Sequence, residues 1–70
     1  MKFDVYGRFQ LEVAREGNIW VVYRLVPGKR IRAADLVIPS EIPPHEIATY
    51  LDDLLHEGAA PGESVRPREQ

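Results

Sequence analysis

The residues best suited to chemistry lie in the second half of the chain, where carboxylates and imidazoles are close in sequence. Asp52 and His56 are four residues apart, so on a helix they share one face and could bind a single metal ion. His45 is eleven residues from His56, which is about 16 Å along a helix axis, so it cannot reach that ion. Two ligands on a polar surface are usually a solvated pair, so we expect no metal site.

The sequence also offers no arrangement that is typical of catalysis. Asp52 and Asp53 are adjacent, so on a helix their side chains diverge by about 100° and form a poor acid–base pair. The serines and the threonine lie outside nucleophile motifs, and there is no glycine-rich phosphate loop. The 70 residues include no cysteine, which excludes disulfides and thiolate ligands. We therefore predict a protein that is not an enzyme, without a cofactor or a small-molecule substrate.

The first elements that must position any functional residue are strands. Between Phe3 and Val13 the odd positions are mostly apolar and the even positions mostly polar, as in a half-buried strand. Gly7 divides this segment. A three-residue loop there would set Val5 opposite Leu11 and Phe3 opposite Val13, and one bent strand is the alternative.

A third and a fourth strand are predicted after turns at 16–18 and 26–29. The third, over 19–26, is apolar on both faces. Its residues divide into Ile19, Val21, Tyr23 and Leu25 on one face and Trp20 and Val22 on the other. The fourth, over 30–34, has Arg30 and Arg32 on one side and Ile31 on the other.

One helix follows, with an apolar stripe formed by Ile47, Tyr50, Leu51, Leu54 and Leu55. Pro44 suits the first helical position, and Gly58 suits the end. The predicted fold is α+β, with a three- to four-stranded antiparallel meander sheet and one C-terminal helix packed on one face. We expect residues 1–58 to form a single domain. Residues 59–70 have one large aliphatic residue, Val65, and are predicted to form a flexible tail that joins no core.

Charge is distributed unevenly along the chain, although the formal net charge is only −2. Seven basic and three acidic residues give 1–34 a charge of +4, whereas 35–63 carry seven acidic residues and no lysine or arginine. The predicted sheet is therefore basic and the predicted helix acidic. The longest apolar run, 19–23, is too short for a membrane span, and no signal peptide is present, so we expect a cytoplasmic protein.

The predicted packing leaves one sheet face open to a partner. We expect this face to carry some set of the candidate interaction residues, which are Tyr6, Arg8, Trp20, Val22, Arg24, Arg30 and Arg32. Tryptophan, tyrosine and arginine are enriched at protein interfaces, which favours a protein-interaction or self-associating module, including a homodimer through this face. The alternative is a protein that binds single-stranded nucleic acid, because aromatic residues between arginines can stack on bases.

Three segments, at 2–8, 35–39 and 50–57, resemble small bacterial proteins of about 70 residues that form a domain-of-unknown-function family. The resemblance covers 1–58 and implies a stand-alone protein without an assigned activity or known catalytic residues. The segment 17–28, an aromatic-rich strand that ends in Pro-Gly, is similar to HicB-like antitoxins, which use a β-hairpin sheet followed by a helix. It implies an antitoxin-type protein as a further alternative, although the Ile42-Pro43-Pro44 start of the helix departs from that pattern.

Overall fold

Three turns that contain glycine fold the N-terminal half of the chain into an antiparallel meander. The computed structural model describes residues 1–58 and 60–68. Its first strands are β1 (Lys2–Val5), β2 (Phe9–Glu16), β3 (Ile19–Val26) and β4 (Lys29–Arg32). Gly17 and Gly28 have φ angles of 62° and 79°, in the region that glycine adopts without steric cost, so each hairpin reverses within two residues.

The first hairpin settles the choice between two strands and one bent strand in favour of two strands. Tyr6 and Gly7 both have positive φ, 58° and 70°, and the Arg8 amide donates to the Val5 carbonyl at 2.9 Å. This tight turn sets Val5 opposite Phe9 rather than opposite Leu11. The predicted three-residue loop is confirmed, since residues 6–8 join the two strands. The register predicted with it was wrong by two residues, although an even shift keeps the odd positions together on one face.

A fifth strand, β5 (Val65–Arg68), completes the sheet in the order β4-β3-β2-β1-β5. The predicted count of three to four strands was wrong, because this strand lies in the segment expected to join no core. β5 pairs with β1, which would otherwise be an edge with unpaired backbone groups. Val65 lies opposite Val5 and is buried, so one aliphatic residue is enough to join the core. Ala59, Glu69 and Gln70 of the predicted tail lie outside the described residues.

The predicted helix is present as α1 (Ile47–Leu55), with single 3₁₀ turns before it (Pro44–Glu46) and after it (His56–Gly58). Ile47 and Leu51 are completely buried, as the apolar stripe predicted, but Leu54 is 42% exposed. In the described part of the chain, no helix has the length and apolar character that crossing a membrane requires.

The core lies between one face of the sheet and a cover made of two parts. α1 supplies one part, and the connecting segment, residues 33–43, supplies the other. Leu36 and Ile38 of the connecting segment are buried in the same cluster as Leu51 of the helix. A nine-residue helix is too short to cover a five-stranded sheet alone, so the irregular segment must bury side chains too.

Three side chains fix the connecting segment to the sheet and the helix by donating hydrogen bonds to its carbonyl groups. These bonds are Arg15 Nη1 to Ser40 O (3.0 Å), Trp20 Nε1 to Ile42 O (3.0 Å) and Tyr50 Oη to Val37 O (3.3 Å). They satisfy backbone groups that have no strand or helix partner, which irregular backbone needs where it packs on a core. The segment is thereby held as a fixed wall of the molecule.

We expect Leu51→Ala to lower the free energy of unfolding by about 2–5 kcal/mol, because it removes a fully buried side chain and leaves a cavity. A domain of this size has a net stability of only about 3–5 kcal/mol, so the variant should be largely unfolded. Urea denaturation followed by circular dichroism measures the change. The control Leu54→Ala should shift the stability by about 0.5 kcal/mol or less, since Leu54 is partly in solvent. Wild-type stability of Leu51→Ala would contradict the packing described.

Candidate interaction surface

The register of the sheet assigns each strand residue to one of two faces. Because the turn at Gly17-Asn18 has two residues, Val13 lies opposite Val22, and odd residues of β2 share a face with even residues of β3. This face, which packs against α1 and the connecting segment, is the helix-side face. The opposite face contributes no residue to the core cluster and is the open face, although Val21 on it is only 1% exposed. Its members are Lys2, Asp4, Gln10, Glu12, Ala14, Glu16, Ile19, Val21, Tyr23, Leu25, Arg30, Arg32, Arg66 and Arg68.

The seven candidate residues do not share one face, so the expectation that the open face carries them was correct only for Arg30 and Arg32. Val22 is buried in the core on the helix-side face. Trp20 lies on the same face, half-buried beneath the connecting segment. Arg24 is also on this face, with its guanidinium 4.6 Å from the centroid of the Phe9 ring. Two of the seven, Arg30 and Arg32, lie on the open face.

The two candidates from the first turn are occupied within the chain. Tyr6 is buried, and its hydroxyl donates to Asp52 Oδ1 at 2.8 Å. Arg8 donates to the Gly58 carbonyl and forms an ion pair with Glu63 at 3.2 Å. Both side chains join the first hairpin to the C-terminal part of the chain. These internal contacts explain why the two residues are placed there, and no partner is required.

Tyr6 has an unfavourable backbone conformation, with a φ angle of 58°, and a side chain that is buried and hydrogen-bonded. A positive φ in a residue other than glycine costs about 1–2 kcal/mol and persists only where the surroundings hold it. Here the buried ring and the bond to Asp52 hold it. Burial, followed by the hydrogen bond to Asp52, raises the pKa of Tyr6 to about 12, so the phenol stays protonated and donates at neutral pH.

Asp52 and His56, the pair considered for metal binding, each contact a different residue of the chain. Asp52 accepts the Tyr6 hydroxyl, and His56 Nδ1 lies 2.7 Å from the Asp53 carbonyl. Within residues 1–58 and 60–68, no three histidine or acidic side chains are grouped as metal ligands. The expectation that the protein uses no metal stays a prediction.

The open face has a simple order of charge across its five strands. One row, from β4 to β5, contains Arg32, Tyr23, Glu12, Lys2 and Arg68. The next row contains Arg30, Leu25, Gln10, Asp4 and Arg66. Arginines thus stand on both outer strands, while the acidic residues of these rows stand on the inner strands.

Tyr23 is the aromatic residue of the open face, and its ring is partly covered. The Arg30 guanidinium lies 4.1 Å from the ring centroid and 3.2 Å from Glu12 Oε1. The Tyr23 hydroxyl donates to Glu16 Oε2 at 2.9 Å, and this bond is the main reason why the pKa of Tyr23 is raised. A nucleic-acid base could stack on this side of the ring only by displacing Arg30.

Sequence reasoning missed Lys2, Tyr23, Arg66 and Arg68 as open-face residues, although the sequence contains the signal. A two-residue turn at Gly17-Asn18 exchanges odd and even positions between the paired strands, which places Tyr23 on the face opposite the buried Leu11 and Val13. Arg66 and Arg68 flank a proline at a spacing of two, as expected for one face of an edge strand.

Comparison with known proteins identifies the chain at the level of a family. Residues 1–68 match the model of a family described as a domain of unknown function, DUF7661. No curated protein and no solved structure matches the chain. The match extends beyond 1–58, which agrees with the inclusion of β5 in the fold. Bacterial origin and a characteristic family size stay predictions.

We expect the raised pKa of Tyr6 to make stability fall at alkaline pH. The unfolded chain releases the phenol proton near pH 10 and the folded chain near pH 12, so this contribution is complete below pH 10 and disappears as the pH rises through 12. Urea denaturation at intervals from pH 9 to above 12 should show a shallower fall for Tyr6→Phe than for the wild type. Equal falls in the wild type and Tyr6→Phe would contradict the assignment.

Proposed function

The chain belongs to the DUF7661 family, whose function is unknown, and we propose that it is a protein-interaction module that docks an acidic, partly apolar segment of another protein. The observation that carries the proposal is the open face, where apolar side chains on β3 lie between arginines on the two outer strands. Val21, between Ile19 and Tyr23 on this face, is only 1% exposed, so the apolar side chains of β3 that a partner can reach are Ile19, Tyr23 and Leu25.

The apolar part of the docking surface runs along β3. Ile19 is 52% exposed, and Tyr23 and Leu25 are half-buried on the same face. Exposed apolar side chains rimmed by charge are typical of sites that bind another protein. A partner that covers this strip therefore needs apolar side chains at its centre.

The charged part of the surface lies at the two sides of the sheet. Arg30 and Arg32 on β4 and Arg66 and Arg68 on β5 are exposed. Four strand spacings separate these outer strands, which is about 19 Å across the sheet. Carboxylates of the partner at about this separation, with apolar residues between them, would meet both rows of arginines.

Self-association through the open face is less compatible with this order of charge. In a two-fold dimer that packs two sheets face to face with aligned strands, each outer strand of one copy lies over an outer strand of the other. Both outer strands carry arginines, so like charges would meet. The homodimer remains an alternative outcome of the experiment below.

Single-stranded nucleic acid is the other alternative, and two features weigh against it. Asp4, Glu12 and Glu16 lie in the middle of the open face, where a strand of phosphates would cross them. Tyr23, which would have to stack on a base, is covered by Arg30. Proteins that bind single strands instead combine a continuous basic groove with free aromatic faces.

We expect the double variant Arg30→Gln/Arg66→Gln to weaken binding of an acidic probe at least tenfold. The probe is a labelled octapeptide with two glutamates at each end and Val-Thr-Val-Leu between them, measured by fluorescence anisotropy at low salt. The matched control is Arg24→Gln/Lys29→Gln, which also removes two positive charges, but from the helix-side face. This variant should bind the peptide like the wild type. Wild-type binding should weaken as salt increases, because the arginines are exposed.

Three results would overturn the proposal. The first is equal loss of binding in the two double variants, which would show that total charge rather than the open face matters. The second is tighter binding of a short single-stranded oligonucleotide than of the peptide. The third is a dimer in sedimentation at high micromolar concentration that dissociates in Arg30→Gln/Arg66→Gln.

A further inference from the structure

Half of one edge of β3 has no strand beside it, because β3 has eight residues and β4 has four. β4 pairs with Tyr23–Val26, and the Ala33 amide then donates to the Val22 carbonyl at 2.8 Å. Towards Ile19 the chain leaves the sheet and returns as the connecting segment. A cleft of about 330 Å³ remains between this segment and the start of β3.

The free half of the edge directs backbone hydrogen-bonding groups into the cleft. In an antiparallel sheet, the N–H and C=O groups of every second residue point towards the same neighbouring strand. Since Val22 points to the β4 side, Trp20 does too. Among the described residues, no backbone group bonds Trp20 on this side.

The walls of the cleft are mostly apolar and are already in place. Val37, 67% exposed, and Ile19, 52% exposed, are the two most exposed large apolar residues of the described chain, and both line it. The connecting segment that forms the far wall is held by the three hydrogen bonds from Arg15, Trp20 and Tyr50. The cleft therefore requires no rearrangement of this wall to be open.

We propose that this cleft takes an extended segment of the partner protein, which pairs with the free edge of β3 and continues the sheet where β4 stops. The inference rests on the proposed function and adds a second stretch of the same partner segment, which runs along β3 while the first stretch crosses the open face. An extended peptide can form hydrogen bonds with the backbone groups of Trp20, and its apolar side chains can contact Ile19 and Val37. A small apolar ligand would supply only the latter.

Charge complementarity favours the same acidic and apolar segment. Arg32 lines the cleft at the end of β4 and is exposed, and no described carboxylate forms an ion pair with it. An acidic residue of the segment would reach Arg32 while its apolar neighbours contact Ile19 and Val37. A second copy of the chain is a poorer occupant, because its own β3 edge is bordered by its own connecting segment.

Hydrogen exchange at one backbone amide tests this pairing directly. On saturation with a sixteen-residue peptide that contains the octapeptide sequence twice, and so is long enough to cross the open face and continue along the edge of β3, the Trp20 amide should exchange at least tenfold more slowly, as measured by NMR. The same peptide with N-methyl groups on the valine and threonine amides of both repeats should bind at least tenfold more weakly, because these amides can no longer donate backbone hydrogen bonds.

A pair of protein variants tests the wall of the cleft. Val37→Asp should weaken peptide binding at least tenfold, because it puts a carboxylate where the acidic segment docks. Leu54→Asp, on the outer side of α1, should leave binding unchanged. Both replaced side chains are exposed, so both variants should fold.

The outcomes separate this inference from the proposed function. The edge pairing is overturned, with the open-face proposal intact, if Trp20 stays unprotected and the N-methylated peptide binds normally while Arg30→Gln/Arg66→Gln weakens binding. Absence of any peptide binding overturns both. A dimer in sedimentation that Val37→Asp dissociates would assign the cleft to a second copy and overturn the partner segment.

Discussion

The two-residue turn at Gly17-Asn18 is the constraint on which the rest of the structure depends. It pairs Glu16 with Ile19 and thus sets Val13 opposite Val22. A turn one residue longer would exchange the faces of β3 relative to β2. Val22 would then leave the core, and Tyr23 would enter it next to Leu11. The turn therefore decides which side of an otherwise two-sided apolar strand is buried, and which side remains for a partner.

The short helix has consequences for the surface as well as for the core. With nine residues, α1 buries Ile47 and Leu51 completely, and the connecting segment has to cover the rest of the sheet with Leu36 and Ile38. To reach that position the chain leaves the sheet after Arg32, so β4 ends halfway along β3. The requirement to close the core thus produces the unpaired edge, and the same three hydrogen bonds that secure the cover keep the cleft open.

Local features of the fold could be predicted from the sequence, and features that depend on long-range pairing could not. Turn residues and alternation predict the first four strands, and the stripe of Ile47 and Leu51 predicts the helix, since both signals act within a few residues. The buried position of Val65 depends on the free edge of β1, which is some sixty residues away in the chain, so composition alone suggested a tail. The contact of Tyr6 with Asp52 has the same long-range origin. The prediction of the open-face residues was wrong for a different reason. The two-residue turn at Gly17-Asn18 already determines which positions of β2 and β3 share a face, so the sequence contained this information.

The positions of the arginines explain why charge along the sequence was an incomplete guide to the surface. Three of them lie over aromatic rings of the sheet, where Arg15 covers Trp20, Arg24 covers Phe9 and Arg30 covers Tyr23. An arginine that stacks on a ring buries its flat apolar surface there and keeps N–H groups at its edge for a carboxylate. Arg32 has no such contact among the described residues and stands where the open face meets the cleft. A bound carboxylate at that point would be shared by both surfaces, so the face and the edge would recognise one continuous segment rather than two separate ligands.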